Sequence, residues 1–426
     1  MQFLSDFARF ISRSPTVWHA AREITSRLAE AEFTPLAEKE RWQLDPGKGY
    51  FVVREGAVCA FRMPTKSPKR TTLVASHTDS PALKIKPIPE TTTQGIAQLS
   101  TEVYGGPLLH TWLDRDLCLA GQVATADNKG RVEIHLVHLD DYPLTIPGIP
   151  PHLERTLGEK GLHVHKQDHL KAVFSIRDHP PTLHDLIRKH ISAPEILSFD
   201  LFLVPTEKPQ FLGPDNELFA SYRIDNLSSA FAALKGLIDA EPKPHDIQMS
   251  IFWDHEEIGS SSYTGAKSDF ADQVLERICL HCKMEREEFM RLKARSLCIS
   301  ADVGHGYHPN YPEKFDLPNS TKLGKGVVLK FNADQRYVTS ARTAAPIIQI
   351  CKEKQIPYQL YASRSDIPSG STVGPVMAAA IGMATIDLGI SIWSMHSTRE
   401  TMSSEDERSL YKLLRSAYEH TYNEEI

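Results

Sequence analysis

The sequence lacks the features that place a protein in a membrane, in the secretory pathway or on nucleic acid. No apolar run reaches the roughly 20 residues that span a bilayer. The segment Met1–Phe7 contains the acidic Asp6 and no basic stretch before a long apolar core, so it does not form a secretory signal. The 48 Lys and Arg residues are outnumbered by 54 Asp and Glu residues, giving a net charge of −6. We therefore expect a soluble cytoplasmic protein with neither nucleic acid nor membrane as a partner.

Cysteine is also scarce, with six residues in a chain of 426. Only Cys279 and Cys282 have a spacing typical of metal ligands, and no second pair with that spacing accompanies them. These two cysteines also fall in a helical pattern. We therefore interpret all six as ordinary thiols, as expected in a reducing compartment.

The length and composition predict two domains. A chain of 426 residues with 41% hydrophobic and 24% charged residues is too long for one ordinary core. Residues 88–212 differ from the rest, because short β-like runs there alternate with proline and glycine. Strands and helices alternate on both sides of this segment, which predicts a doubly wound α/β core. We predict one discontinuous domain, residues 1–87 and 213–426, with an inserted β-rich domain, residues 88–212.

Local signals predict several of the helices and strands. Ser14-Pro15 favours a helix start, and apolar residues then recur on one face to about Glu32. A helical segment is also predicted over Asp272–Lys293. Buried strands that run directly into polar residues are predicted at Thr71–Ser76, Ile251–Trp253 and Leu297–Ala301.

Acidic residues and histidines collect where two of these strands end. Asp254-His255-Glu256-Glu257-Ile258-Gly259-Ser260 follows one strand, and open α/β sheets place their chemistry outside the carboxyl ends of strands. His77 and Asp79 follow another strand and point the same way if the chain stays extended. A carboxylate commonly holds the second ring nitrogen of a metal-binding histidine, so Asp79 is predicted to orient His77. Taken alone, a Glu-Glu pair is more often a solvated loop and a His-x-Asp is more often incidental.

Five potential metal ligands stand at predicted strand ends or in adjacent loops. They are His77, Asp225, Glu257, Asp302 and His396. Mixed nitrogen and oxygen ligands suit Zn²⁺, with Mn²⁺ and Co²⁺ as alternatives. Five are too many for one catalytic zinc, which usually takes three plus water, but they fit two metals that share a bridging carboxylate. The remaining carboxylate, Glu256, can take a proton from water and pass it to a leaving amine.

Longer motifs run in order over essentially the whole chain. They are His77-Thr78-Asp79-Ser80-Pro81, Tyr104-Gly105-Gly106, Trp112-Leu113-Asp114-Arg115-Asp116-Leu117, Arg223-Ile224-Asp225-Asn226, the 254–260 run, His308-Pro309-Asn310-Tyr311 and Met395-His396-Ser397. Together they resemble the motifs of the aspartyl aminopeptidase family. A departure is Pro107-Leu108-Leu109-His110, where the family often has another Gly and a Ser.

The resemblance implies a fold and a metal content. The fold is a zinc-peptidase-like α/β catalytic domain with a mixed sheet, interrupted by a β-rich dimerisation domain. The metal content is two divalent ions per subunit, Zn²⁺ in the first place. One ion would be held by His77 and Asp302 and the other by Glu257 and His396, with Asp225 bridging them.

The resemblance also implies a reaction, a substrate and an assembly. Glu256 would be the general base in the removal of N-terminal Asp or Glu from peptides. Lys330 and Tyr337 match the family's substrate-binding residues, and a lysine is a sensible partner for an acidic side chain. His152 matches an active-site histidine that the neighbouring subunit contributes. Members of the family assemble into tetrahedral dodecamers, so dimers and a dodecamer are expected here.

Other interpretations stay open at this point. The same metals could act on a different N-terminal residue or on an acylamino acid. A scaffold or cargo protein with a vestigial site is a third possibility, against which the intact set of ligands and Glu256 argues. Lys330 could be a surface residue on an edge strand, and His152 could be a structural loop residue. His110, His305 and His308 have no assigned role.

Overall fold

The computed structural model describes residues 2–192 and 195–422. Within these ranges the α-helices are α1 (Gln2–Ser12), α2 (Val17–Glu30), α3 (Leu157–Lys160), α4 (Leu183–Arg188), α5 (Ile224–Asp239), α6 (Phe270–His281), α7 (Arg286–Ala294), α8 (Ala341–Glu353), α9 (Val373–Ile381) and α10 (Ser404–Glu419). Short 3-10 turns lie at Leu109–Trp112, Glu256–Ile258, Pro312–Lys314 and Leu317–Asn319. None of the helices in the described ranges is long and apolar enough to cross a bilayer.

The β-strands of the same ranges form three sheets. They are β1 (Thr34–Leu36), β2 (Gly49–Arg54), β3 (Ala57–Arg62), β4 (Arg70–His77), β5 (Ala82–Thr93), β6 (Ile96–Tyr104), β7 (Leu117–Ala126), β8 (Val132–Leu144), β9 (Ala172–Ser175), β10 (Glu195–Pro205), β11 (Gln210–Leu212), β12 (Leu218–Ser221), β13 (Asp246–Trp253), β14 (Leu297–Ala301), β15 (Gly304–His305), β16 (Val327–Phe331), β17 (Tyr358–Ala362), β18 (Ala384–Gly389), β19 (Ser391–Trp393) and β20 (Glu400–Ser403).

A nine-stranded mixed sheet forms the centre of the fold, in the order β1-β2-β3-β13-β4-β14-β18-β16-β17. Its middle strands β13, β4, β14 and β18 are parallel, while β3 and β16 flank them in antiparallel pairings. A parallel strand covered on both faces needs apolar residues that face both ways, and Leu73-Val74-Ala75 at the centre of β4 provide them. The predicted strands at 71–76, 251–253 and 297–301 are confirmed, as is the α/β class with a mixed sheet.

Helices cover the central sheet on both faces. On one side Val74 of β4 joins a core built with α1, α2, α5, α8 and α10. On the other side its neighbours Leu73 and Ala75 join a core built with α6, α7 and α9. Successive side chains of a strand point to opposite faces, so a single strand contributes to two cores. Packing of helices on both faces holds the central strands, and therefore the residues at their carboxyl ends, in defined positions.

A separate six-stranded antiparallel sheet, in the order β8-β7-β10-β5-β6-β9, lies between β4 and β11 in the chain. It has its own apolar core, which includes Leu83, Trp112, Leu119 and Leu201. The predicted β-rich insertion, residues 88–212, covers most of it, while the first strand already begins at Ala82. The role of this insertion in dimerisation stays a prediction. A third sheet, β11-β12-β20-β19-β15, carries the loop that contains His396.

Two local predictions differ from the structure. The second helix begins at Val17 with Thr16 at its N-cap in extended backbone, two residues after the predicted first helical residue Pro15. The preceding helix α1 was not predicted at all. The predicted segment Asp272–Lys293 is divided into α6 and α7, since Lys283 has a left-handed backbone with φ of 57° and Glu285 then caps a new helix.

Candidate metal centre

Three neighbouring parallel strands deliver their polar residues to one edge of the central sheet. β4 ends at His77, β13 is followed by Glu256 and Glu257 in a short 3-10 turn, and β14 is followed by Asp302. Because β13, β4 and β14 lie side by side in the same direction, the residues after them meet. Two further segments reach the same edge, the start of α5 and the loop between β19 and β20.

The carboxylate of Asp225 lies between two imidazoles. Its Oδ1 is 3.3 Å from Nε2 of His77, and its Oδ2 is 3.4 Å from Nε2 of His396. On the His77 side, Oδ1 of Asp302 is 3.6 Å from the same Nε2. On the other side, Oε2 of Glu257 is 3.4 Å from Nε2 of His396. Two groups of possible ligands thus share one residue, and in each group the ligand atoms all lie within 4.8 Å of one another.

The two histidines are held from behind. Nδ1 of His77 lies 3.4 Å from Oδ1 of Asp79, and Nδ1 of His396 lies 3.0 Å from the carbonyl oxygen of Gly106. Tyr104 donates its hydroxyl proton to Oδ2 of Asp79 at 2.7 Å. The Nδ1 atoms can therefore carry the protons, which leaves each Nε2 with a lone pair directed at Asp225.

Asp79 also supports the acidic turn after β13. Its Oδ1 accepts a hydrogen bond from the backbone N–H of Glu256, and its Oδ2 accepts one from the backbone N–H of Glu257, both at 3.1 Å. The single carboxylate thus contacts His77 and the turn that carries both glutamates. The sequence predicts only its contact with the histidine.

The donor set fits divalent metal ions. Oδ1 of Asp225 and Oε1 of Glu257 are buried and have no hydrogen-bond partner among the described residues. Burial alone would raise the pKa of Asp225, but the neighbouring imidazoles of His396 and His77, when they carry a positive charge, hold it below its usual value. Burial, and then the charge of Asp225, raises the pKa of Glu257 well above its usual value. Buried anionic oxygens need a compensating charge, and a cation between them would supply it.

Glu256 stands beside this cluster. Its Oε2 is 3.9 Å from Nε2 of His77, and its side chain lines the cleft above the cluster, which has a volume of about 580 Å³. Burial raises the pKa of Glu256 to about 8, and the nearby charge of Asp302 adds to the rise. A carboxylate with a raised pKa can both accept and release a proton near neutral pH.

Lys330 and Tyr337 line the same cleft. Lys330 is 1% exposed on β16, which pairs with β17 and β18 on its two sides, so it is neither a surface residue nor on an edge strand. Its Nζ donates a hydrogen bond to the carbonyl oxygen of Val303 at 2.6 Å and lies 5.3 Å from the centre of the Tyr337 ring. Two more cations, Lys267 and Arg336, line the cleft as well.

His152 lies apart from this cluster within the chain. It is exposed in a turn between β8 and β9, and it is not among the described residues that line the cleft. His305 does line the cleft, whereas His308 packs its ring against Tyr311 in a neighbouring cavity and His110 is exposed. His152 can therefore take part in a site only if it enters the cleft of a second copy of the chain.

Two residues of the site were not predicted. Arg223 is buried before Asp225 and donates a hydrogen bond to the carbonyl oxygen of Thr78, the residue after His77. Glu400 is buried behind Asp225 and His396. Glu400 follows His396 by four residues, and an acid so close to a candidate ligand was a signal that sequence reasoning did not use.

The fold and the site define a class of protein. Buried imidazoles and carboxylates at the carboxyl edge of parallel strands, with a spare carboxylate beside them, are typical of metal-dependent hydrolases. The family described as "Aminopeptidase I zinc metalloprotease (M18)" matches residues 10–418. The chain therefore belongs to the M18 family and is a metalloaminopeptidase of that family.

Individual relatives agree with this assignment. A protein of Streptomyces avermitilis named "Probable M18 family aminopeptidase 2" is 38% identical over 410 residues, which cover 94% of each chain. A protein of Stutzerimonas stutzeri with the same name is 38% identical over 420 residues, which cover 96% of each chain.

Solved structures show the same fold. The chain is similar to a structure of the Ape4 and Nbr1 complex, with a TM-score of 0.91 and 33% identity over 97% of this chain and 85% of that chain. An M18 aminopeptidase of Thermotoga maritima has a TM-score of 0.86 and 27% identity over 99% and 96% of the two chains. The mApe1 dodecamer of S. cerevisiae has a TM-score of 0.84 and 25% identity over 97% of each chain.

Proposed function

We propose that the protein removes an N-terminal Asp or Glu from peptides with the help of two divalent metal ions. One observation carries the two-ion part of this proposal. The two oxygens of Asp225 face two different imidazoles, at 3.3 and 3.4 Å, and a different second carboxylate stands beside each imidazole. A single buried carboxylate placed in this way has the geometry of a bridging ligand.

The residues divide into two sets of ligands. His77 and Asp302 would hold one ion, Glu257 and His396 would hold the other, and Asp225 would serve both. The nitrogen and oxygen donors suit Zn²⁺, which the family description names, and also Mn²⁺ and Co²⁺. When bound, such ions supply Lewis acidity and lower the pKa of a water molecule.

Glu256 is the proton carrier in this proposal. It lies beside His77 at the edge of the cleft but is not needed to complete either set of ligands. In the attack on the scissile carbonyl, Glu256 takes a proton from the attacking water. It then passes this proton to the nitrogen of the leaving peptide, so that a neutral amine departs.

The preference for an acidic residue rests on the charge of the cleft wall. Lys330, Lys267 and Arg336 all line the cleft, and Lys330 is the most deeply buried of the three. A buried ammonium forms a strong charge-assisted hydrogen bond with a carboxylate. Tyr337, whose ring contacts Lys330, would close the same wall around the side chain of the substrate.

Self-association through the inserted sheet completes the proposal. Strand β8 lies at an edge of that sheet and exposes Val132 and Ile134, while Leu153 is exposed beside His152. An exposed apolar edge strand favours pairing with another chain. A related structure is described as a dodecamer, and we propose dimers and a dodecamer here, with His152 reaching the cleft of a neighbour. The six cysteines are free thiols, which suits the reducing cytoplasm in which we place the protein.

A panel of peptides tests the function. The panel carries N-terminal Asp, Glu, Leu or Ala on one common sequence, and each peptide is assayed after removal of metal and reloading with Zn²⁺, Mn²⁺ or Co²⁺. We expect activity that depends on metal and a higher kcat/KM for Asp and Glu. A higher kcat/KM for Leu or Ala would support another N-terminal specificity. If an acylamino acid assayed beside the panel is cleaved and none of the peptides is, the proposal that peptides are the substrate is wrong. Absence of any hydrolysis with all three metals would favour a scaffold role.

A further inference from the structure

Glu400 joins two segments of the chain that are far apart in sequence. Its side chain is at the start of β20, where the residue is 2% exposed. Oε2 accepts a hydrogen bond from the backbone N–H of Asp225 at 2.9 Å. Oε1 accepts one from the backbone N–H of His396 at 2.7 Å. The two oxygens of one carboxylate thus contact the main chains of both residues.

The two main-chain positions have little other support from regular structure. Asp225 is at the start of α5 but has non-helical backbone, with φ of −76° and ψ of 108°. His396 lies in the loop between β19 and β20 and has a left-handed backbone with φ of 68°, which is uncommon for a residue with a side chain. Neither N–H is directed by a helix or by a sheet ladder. The carboxylate of Glu400 therefore sets their direction.

Glu400 does not belong to the groups that could hold a metal. Those groups, among the described residues, contain His77, Glu256, Glu257, Asp225, Asp302 and His396. The oxygens of Glu400 are directed to backbone N–H groups and not into the cleft. Its contribution to the site is therefore made through the residues that it contacts.

We propose that Glu400 is a positioning residue that fixes Asp225 and His396 relative to each other, so that Oδ2 of the first and Nε2 of the second meet at 3.4 Å. This inference rests on the proposed function, in which both residues bind metal. Groups that orient metal ligands typically change metal affinity by about 10- to 100-fold when they are removed. The ion between Glu257 and His396 should be affected most, since the position of His396 is set directly.

Two substitutions separate the geometry of Glu400 from its charge. Glu400→Gln keeps the length of the side chain but leaves one acceptor oxygen, so its amide N–H₂ faces one of the two backbone N–H groups. Glu400→Asp keeps two acceptor oxygens and the charge, but it is one methylene shorter and cannot reach both N–H groups. A matched control is Glu407→Gln, because Glu407 is equally buried on α10 and its carboxylate has no hydrogen-bond partner among the described residues.

The test is a calorimetric Zn²⁺ titration of the metal-free full-length protein at one pH, with circular dichroism as the check of folding. We expect Glu400→Gln and Glu400→Asp each to weaken binding of at least one ion by about 10- to 100-fold. Glu407→Gln should bind as the wild type does. Wild-type affinity in both Glu400 variants would overturn the proposal, and full recovery in Glu400→Asp would show that only charge matters and would also overturn it. If Glu400→Gln does not fold, Glu400→Asp decides between these outcomes alone.

The same titration on His396→Ala distinguishes failure of this inference from failure of the proposed function. If His396→Ala weakens Zn²⁺ binding and the Glu400 variants do not, His396 is a ligand and Glu400 is not a positioning residue. If His396→Ala also binds two ions as the wild type does, the proposed ligand set itself is wrong, and the inference falls with it.

Discussion

At the scale of single residues, the site depends on what surrounds the carboxylate of Asp225. Two imidazoles, two carboxylates and the spare Glu256 converge on it from four other segments of the chain. The sequence predicted which side chains these are, because most of them directly follow a buried strand. It did not predict Glu400 or the burial of Arg223, since both act on backbone groups, and the short distance in sequence from His396 to Glu400 was the one available signal for them.

Replacing Glu256 by Gln tests its role as a proton carrier. The variant should keep both metal ions, because Glu256 is not needed as a ligand, and should lose about 10²- to 10⁴-fold in kcat, as expected when a general base is removed. Metal content by mass spectrometry and turnover of a peptide with N-terminal Asp are measured on the same sample. A metal-free Glu256→Gln protein would mean that Glu256 and Glu257 have exchanged roles.

Lys330→Met tests the origin of the acidic preference. A charge-assisted hydrogen bond contributes roughly 1.5–3 kcal/mol, which is about ten- to a hundredfold at about 1.4 kcal/mol per decade. We expect kcat/KM for N-terminal Asp and Glu to fall by that factor. The variant also removes the hydrogen-bond donor to the carbonyl oxygen of Val303. Any general damage to the site should therefore lower kcat/KM for a peptide with N-terminal Leu by the same factor.

The ratio of kcat/KM for the acidic and neutral peptides is therefore the deciding quantity. A matched control is Arg336→Met, which removes a cation from the exposed rim of the same cleft. Because solvent screens the charge of the exposed Arg336, we expect Arg336→Met to change the ratio of the two kcat/KM values less than Lys330→Met does. An equal fall for both peptides in Lys330→Met, or a larger change in Arg336→Met, would contradict the assignment of specificity to Lys330.

At the scale of helices and strands, prediction succeeded where hydrophobic pattern alone decides. The buried strands β4, β13 and β14 were predicted to within five residues of their bounds, because short apolar runs that lead into polar residues are distinctive. Helix α1 was missed although its apolar residues Phe7 and Phe10 are fully buried. Its polar face and the absence of a capping signal before it left no clear helix pattern. For α2, the predicted first helical residue, Pro15, is two residues before the observed start at Val17.

The pH dependence of stability should report on the contact between α2 and the inserted sheet. His19 of α2 is buried, hydrogen-bonded to Thr16, and lies with its ring 6.3 Å from that of His138 on β8. Burial, aided by the charge of Arg22, lowers the pKa of His19 to about 3. In the unfolded chain its pKa is about 6.5, so between these values the unfolded state binds more protons and the folded state loses stability as the pH falls.

His19→Gln removes this titration and keeps a polar group near Thr16. Between pH 7.5 and pH 5.5 the wild type should lose about 1.4 kcal/mol more free energy of unfolding than the variant, since pH 5.5 is one unit below the unfolded pKa. Urea unfolding at the two pH values measures this difference. Equal losses in the two proteins would show that His19 is not held neutral in the folded state.

At the scale of the whole molecule, three sheets share one chain, and the cluster lies where the carboxyl edge of the central sheet meets the loop between β19 and β20 of the third sheet. The alternation of strands and helices predicted the α/β core, the family resemblance implied that its sheet is mixed, and the change in composition predicted a β-rich segment within it. The pattern of residues cannot show which surface meets another copy, because an exposed apolar residue on β8 looks the same in a monomer and in an assembly. The family resemblance supplied that expectation, and the position of His152 outside the cleft is consistent with it.

Mixed assemblies test whether the site is shared between subunits. Glu256→Gln lacks the proton carrier and His152→Ala lacks the proposed neighbouring histidine, so each should be inactive alone. After the two proteins have exchanged subunits, some clefts combine an intact Glu256 with an intact His152 of a neighbour, and part of the activity should return. Light scattering and differently tagged subunits establish the exchange. No recovery of activity after proven exchange would contradict a shared site.

A variant shortened within the insertion, residues 88–212, tests its role in assembly. Light scattering should show smaller particles for this variant than for the wild type.

The position of bound metal tests the central claim most directly. Crystals of the protein loaded with Zn²⁺ are measured at the zinc absorption edge, where each ion gives a peak in the anomalous difference map. We predict two peaks per subunit at about 3.5–4 Å from each other, one beside His77 and Asp302 and one beside Glu257 and His396, with one oxygen of Asp225 next to each. A single peak, or two peaks that do not share Asp225, would contradict the two-metal account.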